Sequence, residues 1–313
     1  MAETLWPPHV AEIVGGDLAV AVCYRTPAGG VVLTPVSPLG QHDPKTATVG
    51  FSTSIAMGRK LHRLKADNRV ALLYPAREHG FADSPHLVLV QGRASFHTNP
   101  DPHWIDSVED EWNRFLVPRK RGRFWDWLGH EYYALRVPIT VDVNRLVTWN
   151  RQNGSDEVVV VGDDLPRRDP PSQTPPPKGK DPHIPVRRFR RRLVRSRHTL
   201  LGYVGADGFP VLRPVDLTPD GEYLKVAGPG LPEGARCAGV LAHWFEPRLK
   251  GQGQAVLTGW LEVGDGQGSY ATHTFNGYTM PRVGDVGFTL AVGLGTKTRY
   301  RQGVRRGQVR DGR

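Results

Sequence analysis

Ser52, Thr53 and Ser54 form a hydroxyl cluster, and Arg59 and Lys60 follow it after a short gap. The surrounding segment, residues 47–74, reads as a strand ending in the hydroxyls and then a helix with both cations near its start. The helix closes near Asp67-Asn68, and Val70 to Tyr74 forms the next strand. Hydroxyls, helix N-terminal N–H groups and cations are the elements that hold a phosphate. The same two cations also suit an exposed helix face with no ligand. His243, within His243-Trp244-Phe245-Glu246, is open to a haem or metal role, with a structural histidine as the plainer alternative. Trp149 closes a strand, where an aromatic side chain either stacks on a ring system or fills core. The histidines are scattered, and neither they nor Cys23 and Cys237 show zinc-ligand spacing. Ser54 and Ser196 sit in no nucleophile elbow, and no hydrolytic triad is apparent.

An internal repeat organises the chain around these residues. Tyr24 to Val36 aligns with Tyr203 to Val215 at an offset of 179, sharing Tyr, Gly, Val-Leu and Pro-Val. Each copy reads as strand, Gly-bearing tight turn, strand. Val88 to Ala94 then aligns with Ala255 to Leu261 at an offset of 167, which Arg69-Val70-Ala71 shares with Arg236-Cys237-Ala238. The second copy is therefore 12 residues shorter between Val215 and Arg236. That is where the hydroxyl-and-cation segment would lie, and Gly228-Pro229-Gly230-Leu231-Pro232 stands there instead. The second copy is expected to lack its own phosphate helix.

Between the copies, Asp163 to Pro185 is rich in proline, which fixes φ and removes backbone donors, so it reads as an extended linker. Val186, Phe189, Leu193 and Val194 are then spaced for one apolar helix face, with arginines on the others. Trp104 to Trp127 permits helix. Tyr132 to Leu146 alternates as a strand with one wet face, and Pro138 suggests an edge or bulge within it.

The 313 residues suit about two domains, and 36 Gly with 27 Pro fit a β-rich chain with many turns. Two cysteines exclude a disulfide scaffold. Apolar runs such as Val158 to Val161 are too short to span a bilayer, and Met1-Ala2-Glu3-Thr4 opens no secretory signal, so a cytoplasmic location is expected. The formal net charge is +10, with seven arginines in Arg187 to Arg197 and a second basic stretch in Lys297 to Arg313. Such surfaces serve nucleic acid, membrane lipid or anionic small molecules, or are a solvated linker face and a frayed tail.

The hydroxyl-and-cation segment resembles the pyridoxamine 5′-phosphate oxidase-like family of flavin-binding split β-barrels. The matching residues are Ser52-Thr53-Ser54, Gly58-Arg59-Lys60 and Asp67-Asn68-Arg69-Val70. The likeness extends through Gln91-Gly92-Arg93-Ala94 and Arg136-Val137-Pro138 to Arg145-Leu146-Val147-Thr148-Trp149, and more thinly over residues 186–262. It implies a phosphate of FMN, or of deazaflavin F420, held by Ser52, Thr53, Ser54, Arg59 and Lys60. The family often carries an arginine near the phosphate where the first copy has Thr34 and the second Arg213. Arg213 therefore either completes a site across the halves or is a surface arginine. The Trp-Arg and Arg-Leu-x-Pro pattern of the vitamin oxidase itself is missing near Lys297 to Arg313. One extra residue also separates Thr53 from Arg59, so pyridoxamine phosphate oxidation is not expected.

The fold expected is mainly β with short helices (α+β), as two split β-barrel halves forming an internal pseudo-dimer. Residues 1–162 make the first half with the phosphate segment. Residues 163–185 make the linker, and residues 186–313 the second, shortened half with a basic C-terminal tail. The function implied is an FMN- or F420-binding oxidoreductase acting on a small-molecule redox substrate, with the cofactor supplying the chemistry. The alternatives are a flavin or haem carrier or sensor and a basic-surface nucleic-acid-binding protein, nucleic acid being the less expected partner. A homodimer of the whole chain stays open.

Overall fold

The computed structural model describes residues 6–97, 99–150, 158–305 and 307, and among them are fifteen strands and seven α-helices. The first half holds β1 (Val20–Arg25), β2 (Val31–Val36), β3 (His42–Asp43), β4 (Thr48–Ser54), β5 (Arg69–Tyr74), β6 (His86–Ser95), β7 (Arg136–Asn150) and β8 (Val159–Gly162). Its helices are α1 (Pro8–Gly16), α2 (Gly58–Ala66), α3 (Trp104–Ser107), α4 (Glu109–Phe115) and α5 (Arg123–Tyr133). The second half opens with α6 (Arg190–Arg195) and β9 (His198–Val204). It continues through β10 (Pro210–Pro214), β11 (Asp216–Asp220), β12 (Tyr223–Ala227) and β13 (Gly234–Phe245). It ends with β14 (Gln252–Gly264), β15 (Gln267–Met280) and α7 (Asp285–Arg305).

All strand pairings are antiparallel, and the two sheets repeat one topology. The first runs β2-β1-β5-β6-β7-β4-β3 with β8 added to β7, and the second runs β10-β9-β13-β14-β15-β12-β11. Adding eight to each strand number of the first path gives the second. The expected fold class and duplication are thus present over a shared path of seven strands. The first sheet curls until β2 approaches β4, as in a barrel split along one seam.

Local chemistry repeats with the topology. In the β1–β2 turn Thr26 N donates to Gly30 O at 2.8 Å and Gly29 N to Thr26 O at 3.1 Å. In the β9–β10 turn Gly205 N donates to Phe209 O at 2.8 Å and Gly208 N to Gly205 O at 3.0 Å. Gly29 and Gly208 have φ of 77° and 82°, a left-handed conformation that favours glycine. Each half also has a bulge where its long strands pair, between Gln91 and Gly92 and between Thr258 and Gly259. A Cβ on Gly92 would fall 2.2 Å from Asp142 O, and one on Gly259 would fall 1.9 Å from Ala271 O. The bulge therefore excludes side chains at both positions.

The halves pack reciprocally. Strand β2 lies on β13 while its counterpart β10 lies on β5, as in the self-complementary interface of a two-fold dimer. One apolar core crosses the boundary, with Val22, Cys23 and Leu33 joined by Leu200, Leu212 and Leu241. Gln91 and Arg145 of the first half add polar contacts to Pro210 O and the Asp207 carboxylate of the second.

The linker gains contacts, and two expectations change. Residues 163–185 form no helix or strand, yet they strap the second sheet: Gln173 N donates to Ala235 O at 2.7 Å, and Ile184 N to Thr272 O at 3.0 Å. Val186, Phe189 and Leu193 face the core, but Val194 is 78% exposed. A 3-10 turn (Val186–Arg188) precedes α6 and rotates Val194 away from that face. The strand expected from Tyr132 begins only at Arg136, because Tyr132 and Tyr133 end α5 in a ring cluster with Trp112. Pro138 pairs with Ser52 on one side only, since β6 stops opposite Thr140, and so takes the edge-like position anticipated for it.

The basic tail is corrected most. Residues 285–305 form α7, which returns from the second half to pack on α5 of the first. Lys297 is buried there, its ammonium donating to Glu131 Oε2 at 2.7 Å and Trp127 O at 2.8 Å. A buried carboxylate and carbonyl give the ammonium the partners that burial demands. Residues 306 and 308–313 of the expected tail lie outside the described residues.

Candidate functional site

The hydroxyl cluster ends β4, as the sequence suggests. Successive strand residues point to opposite faces, so Ser52 and Ser54 share a face while Thr53 points with Val49 and Phe51 towards the first core. Ser54 caps the 3-10 turn Ile55–Met57: its hydroxyl accepts from Ala56 N at 3.2 Å and donates to Glu131 O at 3.2 Å. Helix α2 follows, burying Lys60, Leu61 and Leu64 and exposing Arg59, His62 and Lys65.

Lys60 is 8% exposed, and no carboxylate among the described residues pairs with it. Burial pushes its ammonium pKa down to about 8, with the Arg136 guanidinium adding to the effect. Arg136 opens β7, in register with Ser54. Its guanidinium carbon lies 5.2 Å from the Trp112 ring centre and 5.1 Å from that of Tyr132. Arg136 Nε and Ser52 Oγ are both buried without a hydrogen-bond partner among the described residues. Two interacting cations thus lie at one strand-to-helix junction, with the unsatisfied Ser52 hydroxyl two residues along the strand from Ser54, which pairs with Arg136. Buried polar groups are ordinarily paired, and a polyanionic oxygen cluster would satisfy all three. Helix α7 passes over the 3-10 turn, and its Arg299 lies 5.1 Å from the ring of Tyr278, which neighbours Tyr132. The second half therefore roofs this junction.

Of the six residues singled out in the sequence, Ser52, Ser54 and Lys60 come together here. Thr53 faces the core side, Arg59 is exposed, and Arg213 lies in the other half. Arg136 was missed as a site residue. Its only signal is its pairing opposite Ser54, a contact between residues far apart in sequence.

The equivalent place in the second half is differently made. Leu224 faces Tyr270 as Val49 faces Val141, so Ala227, Gly228 and Pro229 stand where Ser52, Thr53 and Ser54 do. Counted along the register, Asp265 in the β14–β15 turn takes the position of Arg136. No helix links β12 to β13, in line with the shortened sequence. Arg213 Nε donates to Tyr203 Oη at 3.3 Å, and its guanidinium fills the space against Gly230. In the first half Arg63 of α2 lies beside the matching Tyr24 hydroxyl. Arg213 thus holds in the second half the tyrosine that the helix flanks in the first.

Other candidates lie apart. His243 is buried beside His198 and Phe245, and burial pushes its pKa down to about 3, leaving it uncharged. Among the described residues no group of three or more His, Cys, Asp or Glu is placed to hold a metal. Trp149 is half-buried against the first core. An open groove of about 700 Å³ lies at the far end of α2, between Leu64–Arg69 and Arg93–His97, and includes none of the six. No helix of the described residues is long and apolar enough to cross a membrane.

No family model matches the chain, and no curated protein matches it. Among solved structures it is similar to a conserved hypothetical protein from Mycobacterium tuberculosis, at 20% identity and TM-score 0.36, over 52% of this chain and 97% of that one. It is also similar to a Clostridium acetobutylicum protein related to general stress protein 26 of Bacillus subtilis, described as of the pyridoxinephosphate oxidase family. That match has 12% identity and TM-score 0.34, over 49% of this chain and 91% of the other. An F420 reductase matches at 15% identity and TM-score 0.34, over 45% of this chain and 98% of its own. Each of these chains is about the size of one half of this protein.

Proposed function

We propose that this protein binds one phosphorylated flavin or deazaflavin, FMN or F420, and serves as an oxidoreductase of the pyridoxamine 5′-phosphate oxidase-like type. The observation that carries this reading is the buried Lys60, with no ion-pair partner among the described residues, together with Arg136 Nε and Ser52 Oγ, both buried without a hydrogen-bond partner. Charge-assisted hydrogen bonds to a phosphate are the strong kind, and they suit the three together. Lys60, Arg136 and Ser52 would hold the phosphate, while Ser54 fixes the turn between them. When bound, the cofactor supplies hydride transfer. The chain binds and orients it, and α5 with α7 keeps water from the phosphate end. The motif resemblance around Ser52, Gly58 and Asp67 supports the same choice of ligand.

Equilibrium titration of the full chain with FMN, F420 and their dephosphorylated forms tests this reading, alongside the absorption spectrum of the purified protein. The expected result is one equivalent of a phosphorylated cofactor per chain and at least tenfold weaker binding without the phosphate. Equal affinity with and without phosphate would overturn it. Reduction of the bound cofactor by a small-molecule donor, at a rate above that of free cofactor, separates an enzyme from a carrier.

A further inference from the structure

Strand β8 has no counterpart in the second half. In the first half it covers the edge of β7 from Arg145 to Thr148. Aligned by the shared bulge, the same stretch of β15 is Thr274–Gly277. Strand β12 ends its pairing with β15 at Tyr270, and His183 and Ile184 of the linker both donate to Thr272 O before the chain turns away. Among the described residues no strand lies against Thr274–Gly277 on the side away from β14. Thr274 and Asn276 are exposed, and the edge offers unpaired backbone groups of the kind that template another strand.

Guanidinium groups border this edge on both faces. Arg192 lies 5.6 Å from the Phe275 ring, and Arg299 lies 5.1 Å from the Tyr278 ring. Around Arg192, residues Arg187, Arg188, Arg190, Arg191, Arg195 and Arg197 are exposed, and no ion pair among the described residues engages them. The apolar face of this segment (Val186, Phe189, Leu193) is already buried, so it has little to insert into a bilayer.

The first half shows what such an edge accepts. Strand β8 is a valine run, preceded in sequence by Asp156 and Glu157 and followed by Asp163 and Asp164. Asn144 Nδ2 donates to Asp163 Oδ2 at 3.2 Å, and Arg145 Nη1 donates to Asp164 O at 2.9 Å. We infer that the Thr274–Gly277 edge of β15 is a docking site for an extended acidic segment of a partner protein, which adds to the second sheet as β8 adds to the first. Strand addition supplies backbone hydrogen bonds, and the arginine border selects acidic flanks.

The probe is a labelled peptide with the sequence of residues 156–164, titrated into the full chain by fluorescence anisotropy. Saturable binding is expected, with amide exchange slowed at residues 274–277 and unchanged at 145–148. The double variant Arg192→Glu with Arg299→Glu should bind at least about tenfold more weakly. Two peptides N-methylated on alternate valines, 158 with 160 or 159 with 161, need no variant protein. One of them should lose binding and the other keep it, because only one set faces the edge. Slowed exchange at 145–148 alone, equal binding of both methylated peptides, or binding of duplex DNA where the peptide fails would each overturn the inference.

Discussion

The two halves share a seven-strand order, a hairpin turn and a bulge, yet differ at the edge that β8 covers and at the place where a phosphate would sit. The first half keeps Ser52, Ser54, Lys60 and Arg136. The second has Ala227, Pro229, no helix, and Asp265. What the halves share is what backbone geometry demands; what they do not share includes strand β8, helix α2 and the polar chemistry of that junction. A fold that repeats its scaffold so closely needs only one functional cleft, and its second copy is then free to act as a wall and a roof.

The largest effects should come from testing the shared part. Gly92→Ala and Gly259→Ala each push a Cβ into a backbone carbonyl, so each should destabilise the chain by about 3 kcal/mol or more in denaturant unfolding. A large loss from only one of them would show that the two bulges are not equivalent. Next come the differences. Lys60→Ala and Arg136→Ala should each weaken FMN or F420 binding roughly ten- to a hundredfold, the ~1.5–3 kcal/mol of a charge-assisted hydrogen bond. Asp265→Ala, at the matching place, should leave the titration curve unmoved.

A smaller, graded effect is expected with pH. The Lys60 ammonium pKa is lowered to about 8 by burial, so above that pH the free protein loses the proton that a phosphate would need. Affinity should fall with rising pH through that value, and Lys60→Ala should flatten the profile. Stability runs the other way. The unfolded chain holds this proton up to its ordinary pKa, so the folded state gains stability with rising pH across that window. A profile equally steep in Lys60→Ala would assign the proton to another group. The smallest effects belong to Arg59→Ala and Arg213→Ala. One is an exposed cation and the other is held against Tyr203, so each should change cofactor affinity by no more than about threefold.

Much of the scaffold was legible because the chain contains its own alignment. The offsets of 179 and 167 located four of the strands in each half, and the shortening between them located the missing helix. The site was legible only where its residues are neighbours in sequence, as with Ser52, Ser54 and Lys60. Arg136 joins them through a strand pairing that residue spacing does not encode. Thr53 was grouped with its neighbours, although strand alternation sends it to the other face. The basic charge of residues 297–313 hid a helix, because Lys297 is accommodated by Glu131 and Trp127, which a count of charges does not see.

The crossing of α7 from the second half to the first also bears on the order of assembly. Ser52, Ser54, Lys60, Trp112, Tyr132 and Arg136 all belong to residues 52–136, which leave the ribosome well before the helix that passes over this junction. At ordinary rates of synthesis the uncovered interval lasts on the order of ten seconds or more. During that time Lys60 and Arg136 would face solvent, and a cofactor present in the cell could settle on the nascent chain before the roof is in place.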